Sequence, residues 1–293
     1  MQKNPRVVIL KNQSVKSIAL IFGAAGFSFN IGNIVHEFGH TVADWISGIP
    51  FSNINVVIHP FFSPHMNIEG GIPDSMIGWP DAAGPLANVV FGLIFFGILW
   101  KKRNPFTFSL LFWGPLACVQ EGIGQIMTTS DFGSDAARMI AAGFPELMLV
   151  TICIVLILIG IFLFGIVFPI GGISTDTPFF KRLGIIAGGM IPYGLLTLLI
   201  CLLISPNQQD VSRSYNIIGG FAIIAIIVAA VYSPLRLIVR RFRIRTDFQV
   251  KWLHALCAIG LLAVIVIVQL LFLNEASIRY QLLCKKVVWL LEE

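Results

Sequence analysis

Three side chains near the start of the chain have types and spacing that suggest chemistry: His36, Glu37 and His40, within "NIVHEFGHTVADW" at 33–45. On an α-helix, residues four apart stand one above the other, so both histidines can offer a ring nitrogen to one metal ion. Glu37 lies about 100° further around the axis, placed to act as general base toward a metal-bound water. Zinc suits such a pair, because two fixed imidazoles leave positions open for water and substrate, and the ion lowers the pKa of its water to about 7. A pattern with three fixed positions arises by chance in on the order of one chain in a hundred of this length. Three ionisable groups on one apolar helix also cost several kcal/mol each unless paired or ligated, and a metal provides that compensation.

A third ligand has to come from elsewhere, since a side chain eight residues further on would lie about 12 Å up the helix axis. The candidates are Glu121, Asp131, Asp135, His59 and His65. Asn33 and Asp44 share the helical face of the histidines. Asp44 is either a hydrogen-bond partner that orients His40 or an interfacial residue facing water.

The element that must carry the motif reads as a membrane helix: the 16 residues from Ser17 to Gly32 contain no charge. Over all 293 residues, 56% are hydrophobic and 12% charged, with a mean hydropathy of +0.86. Soluble domains carry about a quarter charged residues, so a polytopic membrane protein is expected. Uncharged windows at 17–47, 82–100, 105–128, 147–172, 184–205, 215–235 and 250–273 give an all-α fold of about seven transmembrane helices. The basic, then apolar N-terminus reads as a first membrane anchor, because its apolar run continues unbroken into the motif.

Lysine and arginine segregate by loop. Lys3, Arg6, Lys11 and Lys16, then Lys101, Lys102 and Arg103, then Lys181 and Arg182, then the basic run at 236–251 fall in one alternate set. Loops 49–81, 129–146 and 206–214 hold only Arg138 and Arg213. The positive-inside rule then puts the N-terminus in the cytoplasm and the metal motif toward the opposite side. It also explains the net charge of +5 by anchoring against anionic lipid, with no nucleic-acid partner. The tail from 274 to 293 is expected as an interfacial amphipathic helix. Five cysteines without a C-x-x-C pair read as buried, reduced thiols, four of them within apolar segments.

Between the first two spans, alternation in "NINVVIHP" and "HMNIEGG" predicts a small extramembrane β-hairpin-like loop. Its edge is expected either to receive a substrate as an added strand or to cap the site. Recurrent small residues, including Gly23, Ala24, Gly26 and Gly32 and the glycine pairs at 188–189 and 219–220, predict close helix packing.

"HEFGH" in the first helix, "DAAGPLANVVFG" at 81–92 and "SDAARMI" at 134–140 together resemble the three landmarks of the site-2 protease family of intramembrane zinc metalloproteases. The third landmark is divergent, lacking that family's prolines and D-G dipeptide. The resemblance spans about residues 17–145. It implies a metalloprotease-like core at 1–145, with a C-terminal helical region of unassigned role at 146–293. It further implies His36 and His40 as zinc ligands, Glu37 as base, Asp135 as third ligand, Arg138 in the family's arginine position, and Asn88 near the substrate. Asp131 and Glu121 stay open as alternative ligands. The function expected is zinc-dependent cleavage of transmembrane or membrane-proximal peptide bonds in a membrane-protein or peptide substrate. The alternative is a transporter or a metal or proton relay built on the same cluster, though the two halves of the chain show no internal symmetry.

Overall fold

The computed structural model describes residues 5–60, 65–68, 78–131, 133–174, 176–204, 208–241 and 248–273. The side chains of His65 and Arg213, the basic run at 242–247 and the tail from 274 to 293 lie outside the described residues.

Each apolar window forms a helix. In chain order these are α1 (Pro5–Ile46), α2 (Trp79–Leu99), α3 (Phe108–Met127), a short α4 (Asp135–Ala141), α5 (Glu146–Val167), α6 (Phe179–Ile204), α7 (Gln208–Arg241) and α8 (Trp252–Val268). Among the described residues, six segments are long and apolar enough to cross a membrane: Gln13–Ile46, Trp79–Lys102, Glu146–Val167, Phe179–Leu203, Ser214–Val231 and Trp252–Leu271. This is the architecture of a multi-pass membrane protein.

The expected seventh segment, α3, is a full-length helix but does not join that set. Gln120, Glu121 and Gln125 interrupt its apolar run. The helix tolerates them because it is packed among α1, α2 and α5, where most of its side chains are buried. Its other end is pinned by rings: Phe112 meets Phe164 of α5 edge-on at 5.0 Å, and Phe164 stacks on Phe168 at 5.3 Å. Ser28 of α1 ties into the same region by donating to the Ser109 carbonyl at 3.0 Å. Fixing one end of α3 in this way sets the height at which Glu121 faces α1.

α1 is the axis of the bundle, contacting α2, α3, α6 and α8. Gly23 allows a close approach to α8: a β-carbon there would lie 2.6 Å from the Ala258 backbone. The glycines at 219 and 220, expected to do the same, face open space among the described residues. One apolar core draws on α1, α3, α5, α6, α7 and α8, so residues before and after 145 share it.

Two short strands, β1 (Ile54–Val57) and β2 (His65–Ile68), pair antiparallel with Ile54 opposite Ile68 and Val57 opposite His65. Tyr193 of α6 reaches this region, donating to the Pro60 carbonyl at 3.3 Å and accepting from Asn30 Nδ2 at 2.6 Å.

Two expectations need correction. Arg182, read as a loop cation, is buried at the start of α6. There it donates to the carbonyls of Thr177 and Ala229 at 2.9 and 3.2 Å, joining α6 to α7. Cys118, Cys153 and Cys201 are buried thiols, but Cys257 is exposed on α8, because that helix turns only one face to the bundle.

Candidate metal centre

α1 places His36 and His40 one turn apart, with ring centroids 4.8 Å apart and their Nε2 atoms 3.1 Å apart. The chain returns after α3 through a turn that ends at Ser134, whose hydroxyl caps α4 by accepting from the Ala137 N–H at 3.1 Å. That cap starts α4 at Asp135, so the first residue of the helix points its carboxylate at the histidines. Asp135 Oδ2 lies 3.1 Å from His36 Nε2 and 3.4 Å from His40 Nε2.

Three potential ligand atoms therefore form a triangle with sides of 3.1, 3.1 and 3.4 Å. Ligands 2.0–2.1 Å from a tetrahedral zinc stand about 3.3 Å from one another, so the donor set fits such an ion. Among the described residues, His36, His40 and Asp135 are a group able to hold a metal.

Each donor is aimed by a second partner. His40 Nδ1–H donates to the Pro80 carbonyl in the first turn of α2 at 2.7 Å, which leaves the lone pair on Nε2. His36 Nδ1–H donates to Glu121 Oε1 at 3.1 Å, with the same result. With an ion held at both Nε2 atoms, the two imidazoles would share the Nδ1–H tautomer, supported through different elements. Glu121 Oε1 also accepts from Asn88 Nδ2 at 2.5 Å, and Asn88 Oδ1 accepts from the Trp113 indole at 2.9 Å. Asp135 is held at its other oxygen: Arg138 donates to Oδ1 at 3.0 Å, and the same guanidinium pairs with Asp81 of α2 at 2.6 Å. Asp81 is itself fixed, accepting the Gly78 N–H at 2.9 Å.

Arg138, donating to Asp135 Oδ1 at 3.0 Å, favours the anionic carboxylate that a metal requires.

Glycines make room for the two-helix wall. A β-carbon on Gly84 would overlap the His40 ring, and one on Gly39 would lie 2.5 Å from the Ala83 carbonyl. Gly84 belongs to the "AGPLAN" segment, whose part in the site is to let α2 approach the second histidine.

Of the residues singled out in the sequence, His36, His40 and Asp135 converge, and Glu37 is buried one residue from His36 on the same helix. Glu121, an alternative ligand, instead holds the outer nitrogen of His36. Asp131 is exposed in the turn before α4. His59 follows β1 and does not belong to the triad. Asp44 does not orient His40, because the Pro80 carbonyl occupies that nitrogen; the Asp44 side chain is buried, and its Oδ2 has no hydrogen-bond partner among the described residues. Asn88 is fully buried, with its amide turned to Glu121 and Trp113 and not to an open cleft. Asp81, Trp113 and the Pro80 carbonyl were missed. Asp81 could have been noticed as a charge opening an apolar helix, and Trp113 as an indole needing an acceptor. A backbone carbonyl leaves no signal in residue types.

Comparisons with known protein families, with curated proteins and with solved structures find no match. The functional reading rests on these residues and their geometry.

Proposed function

We propose that this protein is an intramembrane zinc metalloendopeptidase, in keeping with the resemblance of its motifs to the site-2 protease family. The observation that carries this reading is the convergence of His36 Nε2, His40 Nε2 and Asp135 Oδ2, each turned inward by a separate partner. Zinc held by these three would supply Lewis acidity, polarising a peptide carbonyl and acidifying water.

The remaining steps fall to the chain itself. Glu37 takes the proton of the attacking water as its oxygen adds to the peptide carbonyl carbon. As the C–N bond breaks, Glu37 returns that proton to the departing amine. Helices α1, α2 and α3 enclose the site, so the substrate is a transmembrane or membrane-proximal segment whose backbone unwinds there; inside a membrane, unwound backbone is tolerated only where protein or a polar cavity surrounds it. In this reading α3 is a seventh span sheltered by its neighbours, the N-terminus is cytoplasmic, and the site opens toward the opposite side.

Zinc analysis of the purified full chain, combined with cleavage of a membrane-embedded peptide by wild type and Glu37→Gln, tests the proposal. About one zinc per chain in both proteins, with cleavage lost in the variant, is the expected result. Full activity in Glu37→Gln would overturn the protease reading, and wild type without zinc would overturn the metal site.

A further inference from the structure

The two histidines are supported unequally. His40 leans on a neutral backbone carbonyl, whereas His36 leans on a carboxylate that is buried and braced by Asn88 and, behind it, Trp113. Glu121 lies on the far side of the His36 ring from Asp135, so it contacts a ligand without sitting among the ligand atoms. A polar side chain this deep in an apolar bundle is costly unless its charge is answered. Hydrogen-bond satisfaction alone would be met by a glutamine, which can accept from His36 and Asn88 equally well.

Counting charge shows what a glutamine would lack. A bound dication is matched by only one negative ligand, Asp135. Arg138 and Asp81 cancel each other through their 2.6 Å ion pair. Glu121 is a further anion hydrogen-bonded to a ligand; together with Asp135 it offsets the ion, the charge of Glu37 being committed to taking the proton of water.

We infer that Glu121 is a positioning residue for the metal: through His36 it fixes the ligating tautomer, and through its charge it neutralises the dication, so zinc affinity depends on it although it is not a ligand. The Asn88–Trp113 pair keeps the carboxylate at that height. This rests on the zinc reading above and adds to it a determinant of metal affinity that the motifs do not contain.

The test is zinc affinity of the detergent-purified full chain, measured by competition with a chromophoric chelator, for wild type, Glu121→Gln and Glu121→Ala. Expected losses are about 10–100-fold for Glu121→Ala, with Glu121→Gln weakened to an intermediate degree because it keeps the hydrogen bond and loses the charge. Cobalt substitution supplies a readout that a purely architectural role would not move. The visible spectrum of cobalt-loaded Glu121→Gln should keep its tetrahedral form, while that of Asp135→Asn should change. Unchanged zinc affinity in both Glu121 variants would overturn this inference alone. A Glu121→Gln spectrum altered like that of Asp135→Asn would overturn it by making Glu121 a ligand. A wild-type chain that binds no zinc would overturn the metal site and the inference together. Should Glu121→Ala not fold, the near-isosteric Glu121→Gln carries the test by itself.

Discussion

Gly84 of α2 lies against the imidazole of His40 with no space for a β-carbon between them. Gly84→Ala is therefore expected to push the ring off the position set by the Pro80 carbonyl and to weaken zinc binding on the order of tenfold to a hundredfold. Gly97→Ala on the same helix is the control: nothing among the described residues lies within 4 Å of the added carbon, and alanine favours helix, so affinity should not change. Chelator competition on both variants makes the comparison. Equal affinity in Gly84→Ala and wild type would show that the contact is not restrictive.

Asp81 and Arg138 form a clamp on the third donor. Asp81→Asn and Arg138→Met are each expected to free Asp135 to rotate and to lower zinc affinity about tenfold. Because both act through one carboxylate, the double variant should be little worse than either single change. Additive losses in the double-mutant cycle would mean that the two residues act independently.

Metal removal should cost stability. If zinc binds the folded chain alone, raising free zinc to 100 times its dissociation constant adds about 2.7 kcal/mol. Chelation should then lower the melting temperature of wild type, and Asp135→Asn should show a smaller zinc-dependent shift. Thermal unfolding with and without chelator measures this, and a wild-type melting temperature indifferent to zinc would contradict it.

Single cysteines placed at Asn104 and Thr129, on a background with the native cysteines replaced, read the path of α3. These positions flank the helix, so a membrane-impermeant maleimide should label Asn104→Cys from the cytoplasmic face and Thr129→Cys from the opposite one. Labelling of both from one side would remove α3 from the spans.

Much of the site was legible because metal chemistry constrains residue type. His36 and His40 could be paired from helical spacing alone, whereas the residues left Asp135 among five candidates and the resemblance of "SDAARMI" singled it out. The support around them was less legible. Glu121 was visible as a charge in an apolar run, but type and depth fit a ligand as well as a ligand's partner, and only the direction of the His36 ring separates the two. Asn88 was read as near the substrate from the resemblance, and nothing in a sequence says that its amide also meets Glu121 and a neighbour's indole. The helical fold was legible for the opposite reason: apolar length is a property of composition. The same criterion is blind to burial by other helices, which is what tolerates Gln120, Glu121 and Gln125 in α3. Arg182 was misplaced in the same way, since its neighbours on α7 lie far along the chain.

The unequal support of the two histidines has a consequence for how the site can drift over generations. The acceptor for His40 is main chain, present whatever residue occupies position 80 so long as the first turn of α2 keeps its path. The acceptor for His36 is encoded by single codons at 121, 88 and 113. One flank of the centre is therefore buffered against point changes, and inherited variation in metal affinity should accumulate on the other.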